Sequence, residues 1–235
     1  MTTMPIVLSL LRGRRRGDDQ AASLDAFYGP QAAGYDRFRE RLLHGRQSLL
    51  QDLDLRPGER AVELGGGTAR NLEFIADRLP DLAEVAVVDL CTPLLEVARQ
   101  RIDARGWTNV SLHQADACTW QPAQAVDVVW CSYSLSMIPD WRLALDNAIS
   151  WLRPGGRLGV VDFHISSRHP WTSRVFWPRW FGHDGVHLRY ELRPTLEQLL
   201  EPVQVIEGRG PVPFMPGLRA PHLRFIGRRR ADHGT

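Results

Sequence analysis

Acidic and small residues at the ends of apolar runs carry the chemistry that can be read from this chain. Val62-Glu63-Leu64 leads into Gly65-Gly66-Gly67-Thr68, with Asn71 just beyond. Glycine in such a turn reaches positive φ and lets a ligand approach with no Cβ in the way. A helix opening at Thr68 points unpaired N–H groups at whatever sits above the turn, which is how nucleotides are held. Asp89, followed by Leu90, ends the next apolar run roughly 20 residues on, the separation of a carboxylate that accepts ribose hydroxyls. The competing role for Asp89 is to cap the following helix, although Thr92 before Pro93 is better placed for that. Asp116, followed by Ala117, closes the third run, where a plain turn aspartate is the alternative to a ligand contact. A dinucleotide turn, G-x-G-x-x-G, is excluded because Arg70 stands in the third glycine slot.

Composition narrows the classes further. The 235 residues, 43% hydrophobic and 24% charged, suit one soluble α/β domain, and no apolar run is long enough to span a bilayer. No lysine occurs, which removes a Walker A loop and Schiff-base chemistry. A formal net charge of +2 is too small to imply nucleic acid. Cys91, Cys118 and Cys131 form no C-x-x-C pair, so neither disulfides nor a metal site is expected, and a cytoplasmic, reducing compartment fits.

The elements that must hold these residues alternate. Residues 1–20 read as a tail, either disordered or an interfacial anchor, since Met4 to Leu11 precedes a cluster of arginines. Residues 21–58 form an N-terminal helical cap, with one helix expected from Gly34 to Leu53. Residues 59–235 form the main domain. Strands are expected near Ala61–Leu64, Val85–Leu90, Val110–Gln114, Val126–Cys131 and Arg157–Phe163. Helices are expected at Asn71–Leu79, Leu94–Ala104 and Trp141–Leu152. Two further strands, near Val203–Glu207 and Leu223–Gly227, complete a Rossmann-like, doubly wound, seven-stranded sheet. Residues 164–192, rich in tryptophan and arginine, form an insertion on the substrate side.

The pattern Glu63-x-Gly65-x-Gly67-x-Ala69 resembles motif I of class I S-adenosylmethionine (SAM) dependent methyltransferases, with Ala69 in the last glycine slot. The resemblance implies SAM as cofactor and an antiparallel last strand in the sheet. It places Glu63, Gly65, Gly66, Gly67, Thr68 and Asn71 around the methionine portion, and Asp89 and Leu90 at the ribose. Asp116 and Ala117 fall at the adenine, with Cys131 at the end of the fourth strand. Methyl transfer is in-line displacement, so a base is optional. Candidates are His164, Asp162, His183 and His187. Trp130, Tyr133 and Trp141 are candidates to surround an amine that becomes a cation, with core packing the equal alternative for Trp130 and Trp141. The metal reading of His183 and His187 is weak, because Gly182 and Gly185 disfavour a helix presenting both. A non-catalytic SAM-fold module is the reading from another class.

Several segments resemble the methyltransferases of betaine-lipid synthesis, which N-methylate the amine of diacylglyceryl-homoserine. They are Phe27-Tyr28-Gly29-Pro30 through Arg39, Leu43-His44-Gly45-Arg46, Tyr133 through Trp141, and Trp180-Phe181-Gly182-His183-Asp184. The resemblance covers roughly Phe27 to Tyr190. It implies that Tyr35 lies over the cofactor and that Arg39 or Arg46 meets a carboxylate. It also implies an amine substrate, in this family a lipid headgroup at the inner membrane surface, and a partner enzyme for aminocarboxypropyl transfer. A soluble small metabolite is the alternative acceptor. For Trp171 to Phe181, a membrane interface and a hydrophobic lid remain equal accounts.

Overall fold

The computed structural model describes residues 20–29, 36, 40–182, 185–213 and 215–231. Helix α1 (Gln20–Tyr28) and helix α2 (Arg46–Asp52) precede the first strand. Strands β1 (Arg60–Leu64), β2 (Glu84–Asp89), β3 (Val110–Gln114) and β4 (Val126–Ser132) follow, with helix α3 (Thr92–Arg105) between β2 and β3. Helix α4 (Trp141–Trp151) runs into β5 (Leu152–Phe163). Helices α5 (Trp171–Gly182) and α6 (Leu192–Leu199) then lead to β6 (Glu201–Pro211) and β7 (Arg219–Arg228).

The seven strands lie in the order β3-β2-β1-β4-β5-β7-β6. The first five are parallel, and β7 runs antiparallel to both β5 and β6, as the family resemblance implies. Strands buried on both faces need apolar side chains throughout, and every residue of β4 is buried. One face packs Val62, Leu64, Val129 and Cys131 against α4 and α6. The other packs Ala61, Val128 and Trp130 against α2 and α3. Side chains alternate across a strand, and this parity settles several sites below.

Three local expectations need correction. The helix expected from Gly34 to Leu53 is not continuous: Gly45, at φ +83°, breaks the chain before α2. Residues 41–45 are turns, and the start of the expected helix lies outside the described residues. The helix expected after the glycine turn is a short 3₁₀ segment, Arg70–Ile75, preceded by Ala69 at φ +53°. The last glycine slot of the motif is therefore a left-handed position, which alanine occupies at a steric cost of about 1–2 kcal/mol. Finally, β5 begins at Leu152, ahead of the expected Arg157, and is bulged between the pairings at Val126 and Val128. The expected tail falls almost wholly outside the described residues.

Candidate functional site

Parallel strands direct their carboxyl ends at one edge of the sheet, and a ligand there sits across the strand order. At that edge is a cleft of about 1050 Å³, counting its open mouth.

The glycine turn forms its floor. Gly65, at φ +68°, donates its N–H to the Val88 carbonyl at 2.7 Å, and a Cβ on it would fall 2.3 Å from Ser134 Cβ. Gly67 donates its N–H to Asp89 Oδ2 at 2.8 Å, and Cys91 N–H reaches Asp89 Oδ1 at 2.8 Å. Burial pushes the Asp89 carboxyl up, against the pull of these N–H groups. Each oxygen accepts one backbone bond, and the carboxylate still lines the cleft. At the next strand, Asp116 is exposed, accepts the Cys118 N–H at 2.9 Å as a turn aspartate does, and also lines the cleft.

Of the expected cofactor residues, Gly65, Gly66, Gly67, Thr68, Asn71, Asp89, Leu90, Asp116 and Ala117 line the cleft. Glu63 does not. It shares the parity of Ala61, faces away beneath the 3₁₀ segment and is fully buried. Its Oε1 accepts the Asn71 amide, and burial raises its pKa to about 7. Cys131 is also absent from the lining; it points into the core on the α4 face, and its neighbour Ser132 takes the place expected for it. Thr68 lines the cleft, but its hydroxyl is given to Asp36 at 2.7 Å. Asp36 is held in turn by Arg101. Tyr35 lies outside the described residues, as do Arg39 and His183.

The catalytic candidates separate. Tyr133 lines the cleft at φ +56°, but its hydroxyl donates to the His44 carbonyl at 2.7 Å. Burial raises its pKa well above the ordinary value, so it stays protonated and tethers the N-terminal cap instead of taking a proton. His164 is buried outside the cleft, its Nε2 3.9 Å from Glu207 Oε1, and burial lowers its pKa. His187 is half-buried and donates its backbone N–H to the Ser136 carbonyl at 2.8 Å. Asp162 lies directly beneath. Ser136, which lines the cleft, donates its hydroxyl to Asp162 Oδ1 at 2.6 Å and its N–H to Oδ2 at 2.9 Å. Burial raises Asp162 to about 6.

The cage of Trp130, Tyr133 and Trp141 does not form: Trp130 packs with the α2 face and Trp141 with the opposite face, so of these three only Tyr133 reaches the cleft. Arg46 is likewise committed: it donates to the Leu43 carbonyl and to Asn71 Oδ1, and it stacks on Phe74.

The sequence reading missed the apolar end. Leu43, Met137, Phe163 and Val186 line it, beside Tyr133 and Ser136, while Leu24 and Tyr28 line the cleft at its β2 end against Cys91 and Leu94. Leu24 and Tyr28 stand four apart on α1, a helical spacing that was a usable signal. The contacts that bring Phe163 and Val186 there are not local in sequence. Among the described lining residues the charged ones are Asp89 and Asp116, both at the β2 and β3 end.

Residues 61–156 match the family model described as a methyltransferase domain. This stretch, less than half of the chain, is a methyltransferase domain. This domain is 33% identical over 126 residues to the trans-aconitate 2-methyltransferase of Methylobacterium radiotolerans, covering 54% of this chain and 46% of that one. It is 32% identical over 152 residues to the ubiquinone/menaquinone biosynthesis C-methyltransferase UbiE of Ectopseudomonas mendocina, covering 62% and 59%. Neither is a betaine-lipid enzyme. The chain thus spans about half the length of the first curated relatives it matches. Among solved structures, the N-methyltransferase NodS from Bradyrhizobium japonicum WM9, in complex with S-adenosyl-L-homocysteine, shares the fold. It has a TM-score of 0.65 and 22% identity, covering 90% of this chain and 99% of that one. NodS holds S-adenosyl-L-homocysteine, and the glycine cradle with Asp89 in this cleft has the backbone donors and the carboxylate that such a nucleoside needs. Among the described residues, no His, Cys, Asp and Glu cluster could hold a metal ion. No described helix is long and apolar enough to cross a membrane.

Proposed function

We propose that the chain transfers a methyl group from SAM to an acceptor with an apolar body, the reacting atom lying between Tyr133 and Ser136. The observation that carries this is the division of the cleft: its acids sit at the β2 and β3 end, and its β4 and β5 end is apolar with no charged side chain among the described residues. SAM, when bound, supplies a methyl on a positively charged sulfur. The chain's own residues supply alignment and exclusion of water at that point. Where the acceptor sheds a proton, Ser136 relays it to Asp162, which is largely ionised above pH 6.

A polycarboxylate such as trans-aconitate would need cations that the described lining does not offer, because Arg46 is committed to Leu43 and Asn71. Apolar acceptors, including the ubiquinone and menaquinone class named for the second relative, suit Leu43, Phe163 and Val186. The finer form of the proposal is N-methylation of an amine lipid headgroup of the diacylglyceryl-homoserine type. That reading leaves Arg39 to meet the headgroup carboxylate and calls for a partner aminocarboxypropyl transferase. The soluble-metabolite reading is favoured by the identity to the trans-aconitate enzyme.

The test is mass spectrometry of enzyme and SAM with three acceptor sets: diacylglyceryl-homoserine vesicles, a quinol, and water-soluble amines and acids. One-methyl mass increments in the lipid or quinol arms are expected. Turnover confined to the soluble acids and amines would overturn the apolar acceptor, and turnover of quinol alone would overturn the amine lipid.

A further inference from the structure

We propose that the outer face of α5 is a docking surface for an anionic phospholipid bilayer. The helix has two faces with different fates. Trp177 and Phe181 point inward and are buried, Phe181 with its ring 4.1 Å from that of Phe163 at the cleft. On the other side Trp171 is 74% exposed, Val175 45%, Trp180 41% and Phe176 39%, although the helix already has a buried face to hold it. These side chains, with Thr172 and Arg179, line one shallow apolar depression. Tyr190, also exposed, extends the patch and joins it through its hydroxyl on the Arg174 carbonyl at 3.4 Å. A contiguous apolar patch of this kind on a soluble chain marks an interaction site.

Charge identifies the occupant. Residues 164–182 contain Arg168, Arg174 and Arg179 and no acid. Arginine beside tryptophan suits phosphate groups above and acyl chains below, with the rings at headgroup level. The patch also backs onto the cleft through Phe181 and Phe163, so a chain seated on a bilayer holds its apolar acceptor end close to the lipid. This surface does not depend on which acceptor is methylated, because binding is measured without turnover.

The experiment is flotation of the full chain with vesicles of phosphatidylcholine alone and of phosphatidylcholine mixed with phosphatidylglycerol. Binding to the anionic vesicles, weakened by salt, is expected. Removing Arg174 and Arg179 charges as R174Q and R179Q should lower partition roughly fivefold each. W171S with W180S should reduce it at least tenfold, while affinity for S-adenosylhomocysteine, measured by calorimetry, stays unchanged as a check on folding. Undiminished flotation of these variants would place any attachment elsewhere in the chain and overturn the proposal. So would equal binding to neutral vesicles, or a concentration-dependent dimer that the tryptophan substitutions dissolve.

Discussion

The Ser136 hydroxyl lies 2.6 Å from Asp162 Oδ1, and that carboxylate also accepts the N–H groups of Ser136 and Phe163. The pair joins the wall of the cleft to a fully buried acid whose pKa is raised to about 6. As a relay it predicts a pH profile of kcat with an acidic limb near that value. Asp162→Asn should remove the limb and lower kcat on the order of 10²-fold, a common size for general acid–base catalysis. Ser136→Ala should lower kcat similarly with little change in SAM affinity. A variant that loses only stability, with its limb intact, would reduce Asp162 to a structural brace.

Asp89 predicts an affinity effect. Its carboxylate is aimed by Gly67 and Cys91 into the cleft at the second strand end, where the ribose is expected. Asp89→Ala removes charged hydrogen bonds of about 1.5–3 kcal/mol in total, so SAM should bind roughly 10- to 100-fold more weakly. Titration calorimetry with SAM or S-adenosylhomocysteine checks this, and an unchanged Kd would move the ribose away from Asp89.

Gly65 and Ala69 predict opposite responses at neighbouring left-handed positions. Gly65→Ala combines φ +68° with a Cβ 2.3 Å from Ser134 Cβ. It should cost on the order of 2–4 kcal/mol of stability. Ala69→Gly relieves φ +53° and should be neutral or stabilising by up to about 1 kcal/mol, since glycine's unfolded-state entropy offsets part of the relief. Urea unfolding of both variants reads the two signs.

Glu63 predicts a pH dependence of stability. A carboxyl whose folded pKa is raised stabilises the fold below its unfolded pKa, near 4.5, and loses that contribution as pH rises through about 7. Asp162 acts in the same sense through about 6. Burial lowers the pKa of His164, His169 and His222, which oppose this trend as pH falls below the ordinary histidine value. The unfolded histidines still titrate around pH 6.5 and offset the carboxyl trend, so the Glu63 contribution is read as a difference: between pH 6.5 and 8 the protein should lose about 1 kcal/mol relative to Glu63→Gln. Parallel pH profiles of the two proteins would assign the dependence to another group.

Much of the cofactor half was legible because its information is local. A glycine run after an apolar strand, and an acid at the end of the next strand, lie within a few residues of the atoms they position. The acceptor half was not. Leu43, Phe163 and Val186 come from three distant segments, and what brings them together is the crossing of β5 beside β4 and the return of the chain after α5. Neither has a sequence signature. The errors at Glu63, Cys131, Trp130 and Trp141 share a cause. Each residue was placed by its nearness in sequence to a strand end, and the face on which each side chain falls places it elsewhere.

The sequence by itself determined the doubly wound sheet and the nucleotide turn, because apolar runs and glycine spacing are enforced residue by residue through backbone sterics and burial. Only the tertiary structure decided which acids face the ligand. It sent Glu63 beneath Asn71 and left Asp89 in the cleft, and it set Asp162 under Ser136 and turned the tryptophans of α5 outward. Those outcomes depend on which sheet face each parity meets and on what packs there, a property of the assembled layers that no single segment carries.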